Sequence, residues 1–147
     1  MTEDVKNMRE IKFRAWDNNL KEFRQNVQLW NSGEVSTGYG ETEFEQGLIL
    51  EMFTGLLDKS GKEIYEGDII SYDGNMTGAE GLLPGYILEG VKAIVSFKNG
   101  RFFPDRVDKS DEGLDNPKHY EWVLSQIFRG GHTKVIGNIH ENPELMS

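Results

Sequence analysis

A chain of 147 residues with 37% apolar residues and sixteen aromatics is long enough to bury one core. It has no cysteine, which excludes a disulfide framework, a thiol nucleophile and a cysteine-ligated zinc. A formal net charge of −9 opposes non-specific coating of a nucleic-acid backbone, which draws on surplus Lys and Arg, and suits a basic protein partner instead.

The first residues, Met1-Thr2-Glu3-Asp4-Val5-Lys6-Asn7, are polar and lack an apolar leader core, and no window approaches a membrane span. The expectation is a soluble, cytoplasmic protein. Ile11, Phe13 and Ala15 then alternate with Lys12, Arg14 and Trp16, the period of a half-buried strand with a basic outer face. Asp17-Asn18-Asn19 is turn chemistry, and residues 20–23 make a short return strand. Residues 27–30 form a further strand candidate. Residues 31–46, rich in Gly, Ser, Thr and Glu, read as loop.

Residues 53–70 organise the chain. Leu48, Leu50 and Met52 alternate with Ile49, Glu51 and Phe53, which predicts a strand with one buried face. Asp58-Lys59-Ser60-Gly61-Lys62 is a turn, because Asp can bond its own downstream backbone and Gly supplies a positive φ cheaply. Ile64 and Tyr65 resume the apolar pattern, Glu66-Gly67-Asp68 turns again, and Ile69-Ile70-Ser71-Tyr72 is the next strand.

Residues 73–90 hold five glycines and a proline and read as a long insert loop. Residues 91–98 are the strongest strand pattern in the chain. Asn99-Gly100 follows and Arg101-Phe102-Phe103 returns, a hairpin signal because both turn positions need φ > 0. Residues 105–117 carry five acidic side chains and read as exposed loop. Tyr120, Val123, Leu124, Ile127 and Phe128 recur at three- and four-residue spacing, which predicts a helix over 119–128 ended by Gly130-Gly131. Asp115 or Asn116 caps its start, with Pro117 in the first turn. Residues 133–139 form a closing strand, terminated at Asn142-Pro143.

Three segments carry a resemblance: Met8-Arg9-Glu10-Ile11-Lys12-Phe13-Arg14-Ala15-Trp16-Asp17, then Thr54-Gly55-Leu56 with residues 58–69, then Val135-Ile136-Gly137-Asn138-Ile139-His140-Glu141-Asn142-Pro143-Glu144-Leu145. In this order they resemble the YopX family of phage and prophage proteins. The resemblance implies a small, mainly β protein with a barrel similar to SH3-like folds. It makes residues 1–7 a short N-terminal extension and 8–147 a single YopX-like domain. The insert after Asp73 and the acidic loop after Pro104 match no part of the pattern. The family carries no established activity, so it supplies no functional residues.

Candidate chemistry comes from the residues themselves. Glu63, Glu66 and Asp68 flank one turn, and converging carboxylates can hold Mg²⁺ for phosphodiester hydrolysis. The competing reading has Asp68 bonding turn amides and both glutamates solvated. Asp73-Gly74-Asn75-Met76-Thr77-Gly78 matches the first half of a calcium loop, but Pro84 stands where a bidentate Glu is required. His119, His132 and His140 have no metal-ligand spacing, and no Gly-x-Ser-x-Gly turn is present. Lys12, Arg14 and Trp16 could form a basic-aromatic platform for single-stranded nucleic acid, against simple packing of the indole at a barrel end. Asp105, Asp108, Asp111, Glu112 and Asp115, interleaved with Arg106 and Lys109, could imitate a phosphate backbone or dock a basic host protein, against a solvated loop.

The sequence therefore reads as a mainly β protein: a small SH3-like β barrel with long insert loops and one C-terminal α-helix. Its expected role is a non-enzymatic phage accessory protein in the host cytoplasm, without cofactor or metal. It acts through contact with a phage or host protein, or with further copies of itself. The alternatives are a metal-dependent nuclease or other phosphodiesterase at Glu63, Glu66 and Asp68, and a nucleic-acid-binding barrel using Lys12, Arg14 and Trp16.

Overall fold

The computed structural model describes residues 10–36, 47–75, 87–105 and 133–146. These residues are mainly β: β1 (Phe13–Asp17), β2 (Glu22–Arg24), β3 (Gln28–Leu29), β4 (Val35–Ser36), β5 (Leu48–Leu57), β6 (Glu63–Tyr65), β7 (Asp68–Asn75), β8 (Ile87–Lys98), β9 (Arg101–Asp105) and β10 (Thr133–Asn138), followed by a 3₁₀ turn at Pro143–Met146. The helix expected over 119–128 lies outside the described residues, as do residues 1–7. Among the described residues no helix is long and apolar enough to cross a membrane. The chain divides into two compact units, Met1–Gly55 and Leu56–Ser147. One sheet runs in the order β2-β1-β5-β6, a second in the order β10-β7-β8-β9, and β3 pairs with β4.

In the first unit, β1 lies antiparallel between β2 and β5, with Arg14 opposite Glu51 and Trp16 opposite both Ile49 and Phe23. Directly opposed side chains share a face. The expected wet, basic face of β1 is instead largely covered: Trp16 is 4% exposed and Glu51 3%. The cause is pairing across the sheet. Arg14 Nε donates to Glu51 Oε2 at 2.7 Å, its guanidinium lies 4.5 Å from the Phe23 ring centre, and Trp16 meets Phe23 edge-on at 5.0 Å. Glu51 and Phe53 are accordingly the buried residues of β5. An ion pair beside two rings lets a charged strand face leave water, because each charge has its partner in place.

Asp17 closes the β1–β2 turn. Its Oδ1 accepts the amides of Asn19 and Leu20, each at 2.9 Å, and its Oδ2 accepts from Arg24 Nη1 at 2.8 Å. Lys21 takes φ +58°, so the turn runs longer than the sequence suggests and the return strand starts at Glu22, not at residue 20. β4 is a second departure, since it lies within the stretch read as loop. Gly33 at φ +88° and the bonds Trp30 N to Glu34 O and Gly33 N to Trp30 O fold this short ribbon back on itself.

In the second unit, β7 is the spine, flanked by β10 and β8 in antiparallel register. Val135, Ile70 and Ala93 oppose one another across the three strands, and all are buried. Ile69, adjacent to Ile70 and so pointing to the other face, is buried too. The sheet is covered on both sides there. β7 and β8 also run further than expected: Gly74 pairs with Leu88 and Asn75 with Ile87, after a register shift between Tyr72 and Gly74. A bulge of this kind absorbs one extra residue and keeps the ladder going through glycine. The insert expected over 73–90 therefore begins after Asn75 and ends before Ile87, and residues 76–86 lie outside the described residues. An extended strand at 73–75 also replaces the start of the calcium-loop pattern.

The β8–β9 hairpin is as the sequence implies, with Asn99 at φ +53° and Gly100 at φ +76°. A Cβ at Gly100 would meet no atom within 4 Å, whereas one at Gly137 would fall 2.6 Å from Asn142 Oδ1. Gly100→Ala is thus expected to cost about 1 kcal/mol through backbone strain alone. Gly137→Ala should cost more, about 1–3 kcal/mol, by overpacking. Urea midpoints of the two variants, measured side by side, check the ranking.

Candidate functional site

The central segment is built around a buried carboxylate, Asp58. β5 ends at Leu57, and residues 58–62 reverse the chain into β6. Asp58 N donates to Lys62 O at 2.7 Å and Gly61 N to Asp58 O at 3.0 Å, with Gly61 at φ +86°. The side chain completes the turn. Oδ1 accepts from Ser60 N (2.8 Å), Ser60 Oγ (2.7 Å) and Lys62 N (2.9 Å). Oδ2 reaches a distant strand and accepts the amide of Val135 in β10 at 3.0 Å. The Lys59 amide adds a bond to Thr133 O at 2.9 Å.

Burial pushes the Asp58 carboxyl up, but the Val135 amide, the Ser60 hydroxyl and the amides of Lys62 and Ser60 together outweigh it. They hold it at about 2, below an ordinary 3.8. Asp17 behaves alike: the Leu20 amide lowers it most, burial opposes, and the Asn19 amide and Arg24 lower it further. Both carboxylates are structural anions at neutral pH.

The second turn holds the three carboxylates that suggested metal chemistry. Gly67, at φ +84°, donates to Val95 O at 2.8 Å and accepts from Ile139 N at 2.9 Å. Asp68 is buried, and its Oδ2 accepts the amide of Tyr65 at 2.8 Å, which is the turn-forming role weighed against the metal. Glu63 is not simply solvated, because its Oε2 accepts from the Tyr65 hydroxyl at 2.8 Å. Glu66 is half-buried. Among the described residues no group of three or more His, Asp or Glu side chains is arranged to hold a metal ion.

The other candidates are dispersed. Trp16 is inside, so its ring is not an open stacking surface. Lys12 pairs with Glu10 at 3.1 Å and lies 5.5 Å from the Phe53 ring centre, and Arg14 is bound to Glu51. Asp105 belongs to β9 and pairs with Lys98 at 2.8 Å. Asp108, Asp111, Glu112, Asp115, His119 and His132 lie outside the described residues. His140 donates its backbone amide to Asn138 Oδ1 at 3.0 Å, within a C-terminal turn where Asn138 Oδ1 also accepts Glu141 N at 2.9 Å.

Sequence reasoning identified Asp58 as a turn former but missed its second partner, which lies 77 residues away. The one available signal was alternation in residues 133–139, which marks a strand without saying what covers it.

The model of the YopX protein family matches residues 12–147. Protein EF1440 from Enterococcus faecalis, known from a crystal structure, is 30% identical, with a TM-score of 0.56 over 95% of this chain and 100% of that one. No curated protein matches.

Because the folded-state pKa of Asp58 lies below its ordinary value, the carboxylate stabilises the fold above about pH 4. That contribution is lost as pH falls through about 2. Asp58→Asn, which presents an amide NH₂ in place of one acceptor oxygen, should cost about 1–2 kcal/mol at pH 7. The gap between wild type and variant in urea unfolding should close between about pH 4 and about pH 2.

Proposed function

This chain belongs to the YopX protein family, and from that premise we propose a phage or prophage accessory protein that works by protein contact in the cytoplasm of a bacterial host. The same reading takes the chain as a small SH3-like β barrel with one C-terminal helix. The observation that carries the functional reading is the end of β5. Leu56 and Leu57 stand 38% and 52% exposed at the end of β5, after Gly55 at φ +85° and immediately before the turn in which Asp58 is buried. Consecutive strand residues point to opposite faces, so both faces of that strand end are apolar and open. Open apolar strand residues beside a rigid turn suit a protein surface. The net charge of −9 favours a partner with a basic surface.

Support also comes from how the central carboxylates are used. Asp58, Glu63 and Asp68 each accept hydrogen bonds from their own chain. A catalytic metal would have to compete for the same lone pairs.

Chemical cross-linking of the tagged protein in lysate of a prophage-bearing host, with a mass measurement of the purified chain, tests the reading. A cross-linked protein or second copy whose yield drops at least ~10-fold in Leu57→Asp is the expected result, since one well-placed contact is worth about that factor. Equal yields from wild type and variant overturn it. Incubation with DNA or RNA and Mg²⁺ or Mn²⁺ is expected to give only background cleavage, the same for Glu66→Ala as for wild type. Metal-dependent cleavage that disappears in the variant would restore the phosphodiesterase alternative.

A further inference from the structure

Asn99 and Gly100 close the β8–β9 hairpin, where the register sets Lys98 opposite Arg101 and Phe97 opposite Phe102. Of the ten asparagines in the chain, Asn99 alone is followed by glycine. Both residues are exposed, and a Cβ built at Gly100 would meet no atom within 4 Å. Among the described residues no hydrogen bond holds the Asn99 side-chain amide, and the Gly100 amide makes no main-chain bond.

An asparagine side-chain carbonyl lies within ring-closing reach of the next backbone nitrogen, and the side chain of the following residue ordinarily shields that nitrogen. Here it has no shield. We propose that Asn99 is a self-modification site, at which the folded chain converts spontaneously to aspartate and isoaspartate. Hydroxide removes the Gly100 amide proton, and the nitrogen attacks Asn99 Cγ. The new N–Cγ bond closes a cyclic imide, while the Cγ–Nδ2 bond breaks and the side-chain nitrogen leaves as ammonia with a proton from water. Water then opens the imide. Addition at Cγ gives aspartate. Addition at the Asn99 backbone carbonyl gives isoaspartate, whose main chain runs through Cβ and Cγ. The step involves no oxidation or reduction.

Ring closure requires rotation about the Asn99 Cα–C bond, which the Lys98–Arg101 pair restrains. Conversion therefore follows transient opening at the tip, where support is weakest: Phe97 is 42% exposed, and Val95 with Pro104 is the first buried pair. Arg101 is exposed and has no ion-pair partner among the described residues, so its charge favours the deprotonated amide beside it. The two products differ in consequence. Aspartate adds a charge but keeps the turn, because it too tolerates a positive φ. Isoaspartate lengthens the main chain of a two-residue turn by one carbon, so the pairing of Lys98 with Arg101 slips. The Phe97–Phe102 ring contact, with centroids 4.9 Å apart, then loses its frame. The pair acts as a clock that loosens one hairpin tip and leaves the buried Val95–Pro104 pair in place.

Incubation of the full chain in mildly alkaline buffer, then acidic digestion and mass spectrometry, tests this. The peptide holding Asn99 should exchange NH for O before any other asparagine peptide does, and should split into two isomers, one labelled by isoaspartyl methyltransferase. The conversion should quicken as hydroxide rises. Gly100→Ala, whose Cβ shields the nitrogen, and Asn99→Gln, whose longer side chain closes a larger ring, should lose the signal over the same interval, with melting curves checking that each is folded. The purified isoaspartyl form should melt below wild type, whereas Asn99→Asp should melt like it. The proposal is overturned if another asparagine converts first, if Asn99 stays unconverted in the folded chain, or if folded Gly100→Ala converts as fast as wild type. An isoaspartyl form that melts like wild type also overturns it, because the tip would then be indifferent to the added carbon.

Discussion

A carboxylate taken out of water is tolerable only if its lone pairs are filled, and Asp58 fills them with three amides and a hydroxyl. Any one of these bonds alone would not offset the desolvation. Together they make the ionised form the preferred one and tie the β5–β6 turn to β10. Asp17 in the first unit repeats the device with two amides and a guanidinium. Each unit thus has a turn locked by an aspartate that reaches beyond the turn itself. In the first it reaches a neighbouring strand, and in the second a strand near the opposite end of the chain.

What the sequence makes legible is whatever is decided locally. Asn99-Gly100 announces its hairpin because few other residue pairs adopt two positive φ angles. Gly61 and Gly67 mark turns for the same reason. The face of β1 is not legible, because its fate rests on Glu51, 37 residues from Arg14, and a lone Lys-x-Arg-x-Trp pattern looks like a wet surface until that partner is in place. The extra length of β7 and β8 is hidden by glycines that ordinarily weaken a strand and here follow a bulge. The same long-range pairing of β1 with β5 leaves Trp16 only 4% exposed. The turn role of Asp68, weighed from the outset, follows from neighbours only three residues apart.

The residues that carry the family resemblance are largely those that make the turns: Asp58 and Gly61, Gly67 and Asp68, and Gly137 and Asn138 with Asn142. Gly137 leaves room for the Asn142 side chain, whose Oδ1 accepts the Asn138 amide. A signature composed of such positions identifies an architecture. It says little about chemistry, which depends on side chains the architecture leaves free. This is why the motif shows family membership and leaves the working surface unassigned.

Among the described residues β10 lies at the margin of its sheet, and its outer side is met by the Lys59 amide and the Asp58 carboxylate. A side-chain anion thereby does the work of a neighbouring backbone, and it does so with a group that cannot template further pairing. The molecule has a guarded border whose guard is a charge. Neutralising it would weaken the acceptor that the Val135 amide shares with the turn, and so loosen the turn's hold on this border.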